Sequence, residues 1–202
     1  MLLVDVGNTN IKIYDDGKIE SFKADESFKF PTEKFYYICV NSKLATILKD
    51  LKNAIDLEQM CELVTNYKGL GIDRKVVCCA VKNGVIVDAG SAITVDVMRD
   101  GIHCGGFITL GVKSFRQSFA NISDRLVYDL DPSCDLENLP QNTSEALNFA
   151  TFNSIRCLID SVRGDLPLIF CGGDGEMLSG MFKDSKFKKD LVFQGMKEVI
   201  GC

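Results

Sequence analysis

The sequence predicts an α/β protein built from two related halves, and three observations carry that expectation. Leu2-Leu3-Val4-Asp5-Val6-Gly7-Asn8-Thr9-Asn10-Ile11-Lys12 passes from β-type apolar residues through a carboxylate and a glycine into alternating positions as far as Tyr14. That order reads as strand, tight turn, strand. Val85-Ile86-Val87-Asp88-Ala89-Gly90-Ser91-Ala92-Ile93-Thr94-Val95-Asp96 repeats it, with Asp, one small residue, Gly and a hydroxyl residue between two strand patterns. An internal echo of this kind is a signal about the whole fold. Between the two hairpins, and again after the second, apolar residues take helical spacing, so strands give way to alternating helices and strands.

The opening hairpin is followed by a turn at Asp15-Asp16-Gly17-Lys18 and a short strand over residues 19–22, which starts an antiparallel meander. Residues 24–33 are polar and read as loop, and residues 35–40 form an apolar run expected to be a buried strand. Leu44, Ile47, Leu48 and Leu51 have helical spacing, as do Leu57, Met60, Cys61 and Val64, so helices are expected over 44–51 and 57–67. Lys68-Gly69-Leu70-Gly71 breaks the chain before a helix over 73–82, and Asn83-Gly84 turns into the second hairpin. A strand around 106–109, a helix over 111–122 and a loop rich in Asp, Pro and Asn over 126–141 come next. Residues 143–162 give the longest helix, whose apolar positions cover so wide an arc that burial between the halves or at a dimer interface is expected. An apolar strand over 166–170 runs into Cys171-Gly172-Gly173-Asp174-Gly175 and a helix from Glu176, and a strand and a helix close the chain after Lys183.

At 202 residues the chain has room for one large domain or two small lobes with a substantial core. A hydrophobic fraction of 46% with 25% charged residues is that of a globular protein. The net charge of −5 leaves no footprint for nucleic acid or for an anionic membrane surface. Any phosphate site must therefore be assembled locally, from backbone N–H groups, a metal and a few Lys or Arg. The nine cysteines are scattered, include the adjacent Cys78-Cys79, form no C-x-x-C pair and have only His103 to accompany them. This fits neither a zinc framework nor a disulfide scaffold and points to reduced, mostly buried thiols in the cytoplasm. With no leader-like start and no membrane-length apolar run, neither export nor anchoring is expected.

Asp5 at a strand end suits a hydrated divalent cation, Gly7 lets backbone approach a polyphosphate, and Asn8 and Thr9 offer donors to phosphate oxygens. The same residues also make an ordinary hairpin turn, which Asn and Gly favour. Two such corners, one from each half, are how a two-lobed phosphotransferase grips a nucleotide. Residues 171–175, a strand end feeding a glycine-rich turn and a helix, offer a seat for a purine or a phosphate. Residues 106–114 miss the P-loop pattern by one inserted residue, and no G-x-G-x-x-G follows a strand, so a dinucleotide fold has no support. Lys12, leaving a hairpin, reads as a solvated side chain, and His103 as a packed or surface residue and not a catalyst.

Four segments, in order, resemble the motifs of the type III pantothenate kinase family. They are Asp5-Val6-Gly7-Asn8-Thr9-Asn10-Ile11-Lys12, Gly71-Ile72-Asp73-Arg74, Asp88-Ala89-Gly90-Ser91-Ala92-Ile93-Thr94 and Gly105-Gly106-Phe107-Ile108-Thr109-Leu110-Gly111. The second half matches more loosely, through Asn142-Thr143 and Gly172-Gly173. That family belongs with actin, the acetate and sugar kinases and the heat-shock ATPases. The resemblance implies an α/β fold of two ribonuclease H-like lobes of the actin and sugar-kinase type with a nucleotide cleft between them, here residues 1–83 and 84–202. It also implies ATP-dependent phosphorylation of the primary hydroxyl of pantothenate, the first step toward coenzyme A, by a cytoplasmic homodimer that uses neither nucleic acid nor membrane.

Carried over residue by residue, the resemblance makes Asp73 the base that takes the hydroxyl proton, although Asp at that position also suits a helix N-cap. Asp5, Val6, Gly7, Asn8, Thr9, Asn10, Ile11 and Lys12 would hold the ATP phosphates and their magnesium, Asp5 acting on the metal through water, with Ser91 on the nucleotide. Asp88 matches the aspartate for a monovalent cation, potassium or ammonium. Gly71, Ile72, Asp73 and Arg74 match substrate positions, with Arg74 set against an anionic group. Thr143 matches a further substrate position or is a plain N-cap. Ser91 stands where the family usually has Thr and Leu110 where it usually has Pro. The family's Tyr-x-Asn-Pro stretch reduces to Asn66-Tyr67, which leaves the substrate tyrosine unassigned. Two alternatives remain: a regulatory, transcription-accessory protein on the same scaffold, which the acidic balance disfavours, and a superfamily kinase or ATPase with another substrate, which Gly71-Ile72-Asp73-Arg74 disfavours.

Overall fold

The structure, a computed structural model, describes residues 1–201. Its first strands follow the alternation in the sequence. β1 (Leu2–Val6), β2 (Asn10–Asp15) and β3 (Lys18–Lys23) form the antiparallel meander, with Asp5 opposite Lys12. β4 (Phe35–Cys39) lies parallel on the other side of β1. A parallel neighbour needs a crossover, and α1 (Ser42–Lys49) makes the one that leads from β4 to β5 (Ala54–Asp56). Asn41 starts α1: its Oδ1 accepts from the N–H groups of Lys43 and Leu44 at 3.1 and 3.2 Å. Leu44 and Leu48, one turn apart, then pack with Val4, Val6, Ile11, Phe35 and Tyr37.

Residues 57–67 are not the expected helix. Leu57 is fully buried, but Met60 and Val64 are exposed, and the segment makes one turn before β6 (Val64–Thr65). Val64 and Thr65 pair in parallel with Ile102 and His103. Both are β-branched residues, which suit a pleated edge better than a helix. α2 (Ile72–Cys79) follows and buries Ile72, Arg74, Val76, Val77 and Cys78.

The second hairpin, β7 (Gly84–Ala89) and β8 (Ala92–Arg99), leads to β9 (Ile102–Leu110) and α3 (Val112–Ile122). The loop over 126–141 carries no strand, as expected, and buried Asn148 pins it by accepting from Asp131 N–H and donating to Asp129 O. α4 (Thr143–Arg163) buries a single stripe, Leu147, Asn148, Thr151, Phe152, Ile155 and Ile159, of which Phe152, Ile155 and Ile159 share a core with Val85, Val87 and Val95. This is narrower than the arc its composition predicts, and Leu158 is left 40% exposed. β10 (Leu168–Cys171) runs parallel to β7, α5 (Gly175–Ser179) follows, and β11 (Ser185–Phe187) pairs with β10. α6 (Leu191–Ile200) ends the chain and packs on α2 and β1.

By their internal contacts the residues fall into two compact units. One holds Met1–Lys82, Asp100–His103 and Asp190–Cys202, and the other Asn83–Arg99 and Cys104–Lys189. Residues 190–201 thus group with the first unit and not with the stretch that precedes them. The two units repeat one construction: an antiparallel hairpin whose first strand carries a parallel neighbour on its other side, β2-β1-β4 and β8-β7-β10. Among the described residues no helix is long and apolar enough to cross a membrane. The thiols are less buried than composition predicts: Cys78 and Cys171 are buried, Cys104 and Cys157 exposed, and four others half-buried.

Candidate active site

In the first unit, Asp5 lies one residue before the end of β1, its side chain 15% exposed, and faces Lys12 across the hairpin, with Nζ 3.8 Å from Oδ2. Lys12 is therefore more than a solvated side chain: its stem is two-thirds covered and its charge sits beside the carboxylate. Gly7 N–H donates to Asn10 O at 3.0 Å, and a Cβ on Gly7 would come within 3.1 Å of that oxygen, so the turn is tight. Asn8, Thr9 and Asn10 are exposed, whereas Val6 and Ile11 are fully buried. Within residues 5–12, Val6 and Ile11 are thus core side chains that can meet a phosphate only through their backbone.

α2 presents the second cluster. Gly71, extended at φ −62° and ψ 149°, is the N-cap and lends no side chain to it. A Cβ on Gly71 would lie 2.6 Å from Asp73 Oδ1, so glycine makes room for the carboxylate. Asp73 is inside the first turn, not at the cap, and its Oδ1 accepts from Arg74 N–H at 2.8 Å. The carboxylate thus lies among the unpaired N–H groups at the positive end of the helix. Ile72 is buried and contributes its backbone, and Arg74 is only 5% exposed. Its guanidinium lies 4.9 Å from the centroid of the Tyr67 ring, and Nη1 donates to the Tyr67 hydroxyl at 3.4 Å. Thr65 N-terminal to it shares a 2.7 Å hydrogen bond with His103 Nδ1. The sequence alone leaves Tyr67 unassigned and reads His103 as a packed or surface residue and not a catalyst; the structure buries His103. The available signal was Asn66-Tyr67 just ahead of the Gly71 to Arg74 motif.

In the second unit, Asp88 lies opposite Thr94 on β8 and Cys171 on β10. Gly90 N–H donates to Ala92 O at 3.0 Å, the counterpart of the Gly7 bond. Gly172 has φ +83°, and a Cβ there would overlap both Ala89 O and Asp88 Oδ1. Only glycine brings this turn so close. The carboxylate and the carbonyl oxygen stand side by side there, and hard oxygens of this kind suit an alkali cation. Gly111 is similar: its N–H donates to Ser91 O at 3.2 Å, and a Cβ would overlap Gly90 O. Ser114 Oγ also donates to Ser91 O, at 2.7 Å, so β9 and α3 hold the Gly90-Ser91 turn, leaving Ser91 exposed. Thr143 is the exposed first residue of α4 and not its cap; Asn142 is, with Oδ1 accepting from Glu145 N–H at 3.0 Å. An open cavity of about 560 Å³ beside it is lined by Asp129, Asp131, Asp135 and Glu145 among others, a charge that repels phosphate.

Residues 45–164 match the family model described as type III pantothenate kinase. A Campylobacter jejuni type III pantothenate kinase is 41% identical over 201 residues, which are 99% of this chain and 96% of that one. The chain belongs to the type III pantothenate kinase family. A Helicobacter hepaticus member is 39% identical, covering 99% of this chain and 98% of its own. Among solved structures, a Campylobacter jejuni protein described as a Baf family transcriptional activator superposes with a TM-score of 0.92 at 39% identity, over 100% of this chain and 98% of that one. Low-identity neighbours show the fold. An activator of 2-hydroxyisocaproyl-CoA dehydratase from Clostridium difficile with bound ADPNP has a TM-score of 0.54 at 11% identity, over 98% of this chain and 92% of that one. An N-acetylglucosamine kinase from Porphyromonas gingivalis has 0.52 at 11%, over 98% of each. This pantothenate kinase family member therefore has the actin and sugar-kinase type of ATPase fold that its motifs imply.

Proposed function

We propose that the chain transfers the γ-phosphoryl group of ATP to the primary hydroxyl of pantothenate, the first step of coenzyme A synthesis. The observation that carries this reading is the start of α2, where a bare glycine, a carboxylate and a buried guanidinium occupy Gly71, Asp73 and Arg74. Pantothenate is an alcohol at one end and a carboxylate at the other, so its pocket needs a base and a cation within the length of one small molecule. Asp73 takes the hydroxyl proton as the oxygen attacks phosphorus and the bond to the β-phosphate oxygen of ADP breaks. Arg74 receives the carboxylate through its fork of donors, which matches a carboxylate in two parallel hydrogen bonds. Gly71 and Ile72 line the pocket with backbone, and Thr143 adds a hydroxyl.

ATP is held by the Asp5 to Lys12 corner, with the exposed Asn8, Thr9 and Asn10 as donors, the backbone of Val6, Gly7 and Ile11 beside them, and Ser91 also on the nucleotide. Asp5 would hold magnesium through water, and Asp88, beside the carbonyl of Ala89, would hold the monovalent cation, potassium or ammonium; bound there, the two ions would supply positive charge to offset that of the phosphates. The protein works in the cytoplasm as a homodimer, independent of nucleic acid and membrane. The test is a panel of small alcohols supplied with ATP and magnesium, each in potassium, ammonium or sodium. ADP and phosphopantothenate are expected, with turnover in potassium or ammonium only. Phosphorylation of some other alcohol in preference would sink the substrate assignment, and equal turnover in sodium would remove the role of Asp88.

A further inference from the structure

We infer that Thr65 and His103 are positioning residues for the acceptor pocket, acting through Tyr67 on Arg74; the inference rests on the reading of Arg74 as the anchor for the acceptor carboxylate. An arginine side chain has several rotatable bonds, and a free one would lose that freedom each time a substrate bound. Here Arg74 is already ordered: it is 5% exposed, stacked on the Tyr67 ring at 4.9 Å and bonded to the Tyr67 hydroxyl at 3.4 Å. Ordering it beforehand raises affinity for an anion without touching the anion. The problem is then to explain what orders Tyr67, which is 37% exposed and follows a strand of only two residues.

Thr65 supplies the answer with one oxygen. In the register of β6, Thr65 lies opposite His103, and its Oγ1 is 2.7 Å from Nδ1. The same Oγ1 accepts the backbone N–H of Tyr67 at 3.0 Å. A hydroxyl has one hydrogen and two lone pairs, so Oγ1 can accept from Tyr67 N–H and still bond Nδ1 in either imidazole tautomer, and the two bonds form one chain from Tyr67 N–H to His103. The His103 ring also meets the Tyr67 ring, with centroids 6.0 Å apart and planes at 55°. The imidazole thus fixes both the backbone and the ring of the residue that carries Arg74. His103 is itself 3% exposed, which makes it a firm support and keeps it away from substrate chemistry.

The experiment compares Thr65→Val, Thr65→Ser and His103→Phe with the wild type in steady-state kinetics and thermal melts. Thr65→Val keeps the shape and removes the oxygen. Its KM for pantothenate should rise about five- to tenfold, as expected for one lost hydrogen bond, with kcat and the KM for ATP within about twofold. Thr65→Ser restores the oxygen and should restore the KM. His103→Phe, which keeps a ring but no nitrogen, should also raise the KM for pantothenate, and its melt is read beside the kinetics because the imidazole lies close to the buried Cys78 thiol as well. An unchanged pantothenate KM in Thr65→Val, or a loss that falls equally on kcat and the ATP KM, overturns the inference. So does a Thr65→Ser variant no better than Thr65→Val. Should Thr65→Val melt below the assay temperature, the His103→Phe and Thr65→Ser measurements decide by the same criteria. A wild type that phosphorylates no pantothenate would sink the reading of the site itself, a different result from an active wild type whose variants keep their KM.

Discussion

Asp73→Asn separates the two things that a carboxylate can do at the start of a helix. The amide keeps an oxygen in the place of Oδ1, so the 2.8 Å bond from Arg74 N–H survives. What is lost for stability is the attraction between a negative charge and the positive end of α2, about 0.3–1 kcal/mol. For a chain of this size each kcal/mol moves the melting temperature by about 2–4 °C, so the variant should melt no more than about 4 °C lower. What is lost for catalysis is the proton acceptor, a group typically responsible for about 100- to 10,000-fold of rate. That corresponds to about 2.7–5.5 kcal/mol of barrier, several times the stability effect. Coupled ADP release with saturating ATP and pantothenate gives kcat, and a fluorescence melt on the same preparation gives stability. Turnover within tenfold of wild type would refute the role of Asp73 as base. A melting temperature depressed by more than about 8 °C with turnover retained would make it a structural residue of the helix start.

Three further outcomes follow from other contacts. A Cβ on Gly195 would overlap the Val76 carbonyl across the α2 and α6 contact, so Gly195→Ala should cost about 1–3 kcal/mol and lower the melting temperature by about 2–12 °C in a calorimetric scan; no change would mean the helices are not so close. Gly172→Ala puts a methyl group onto Asp88 Oδ1 and Ala89 O, and should raise the potassium concentration for half-maximal turnover by at least about tenfold, an effect a simple loss of folded protein would not produce. Burial, with Asp56 beside it, pushes the Tyr37 hydroxyl from 10.0 up to about 12. Its folded value is thus above its unfolded one, so the stability it contributes is whole below pH 10 and is lost as pH rises toward 12. Urea melts at pH 9 and pH 11 should show a steeper decline for wild type than for Tyr37→Phe, and parallel declines would contradict the shift.

The parts of this chain that were legible in advance are those whose causes are local. β1 with β2, and β7 with β8, follow from alternation on either side of an Asp-x-Gly corner, and the α1 and α4 helices from apolar spacing, whereas the caps Asn41 and Asn142 are visible only in the structure. Residues 57–67 were misread because their partner, Ile102-His103, lies almost forty positions away, and a two-residue strand leaves no alternation to detect. The close approaches are equally non-local. Gly111 meets Gly90 and Ser91, Gly172 meets Asp88 and Ala89, and Gly195 meets Val76; a lone glycine in the sequence does not say what it will touch. Arg74 was legible as a charge but not as a buried one, since its burial depends on where Tyr67 is brought by β6.

The repeat also explains why the two corners need not do the same work. Both have Asp, one buried apolar residue and Gly, both bond the glycine N–H back to the opposite strand, and both carry a parallel strand beside the carboxylate. They differ in the residue directly across the hairpin, where side chains on one face meet. Asp5 faces Lys12, with the ammonium 3.8 Å away, whereas Asp88 faces Thr94. A corner that carries its own ammonium is suited to a polyphosphate, whose charge a bare carboxylate would repel. A corner whose opposite residue is a neutral hydroxyl brings no ammonium across the hairpin, and its carboxylate and the Ala89 carbonyl that Gly172 lets so close offer oxygens suited to a cation. Exchanging the two opposite residues, Lys12→Thr and Thr94→Lys, should therefore weaken ATP binding in the first case and replace the need for potassium in the second. Identical effects on both ligands would mean that the cross-strand residue does not set the preference.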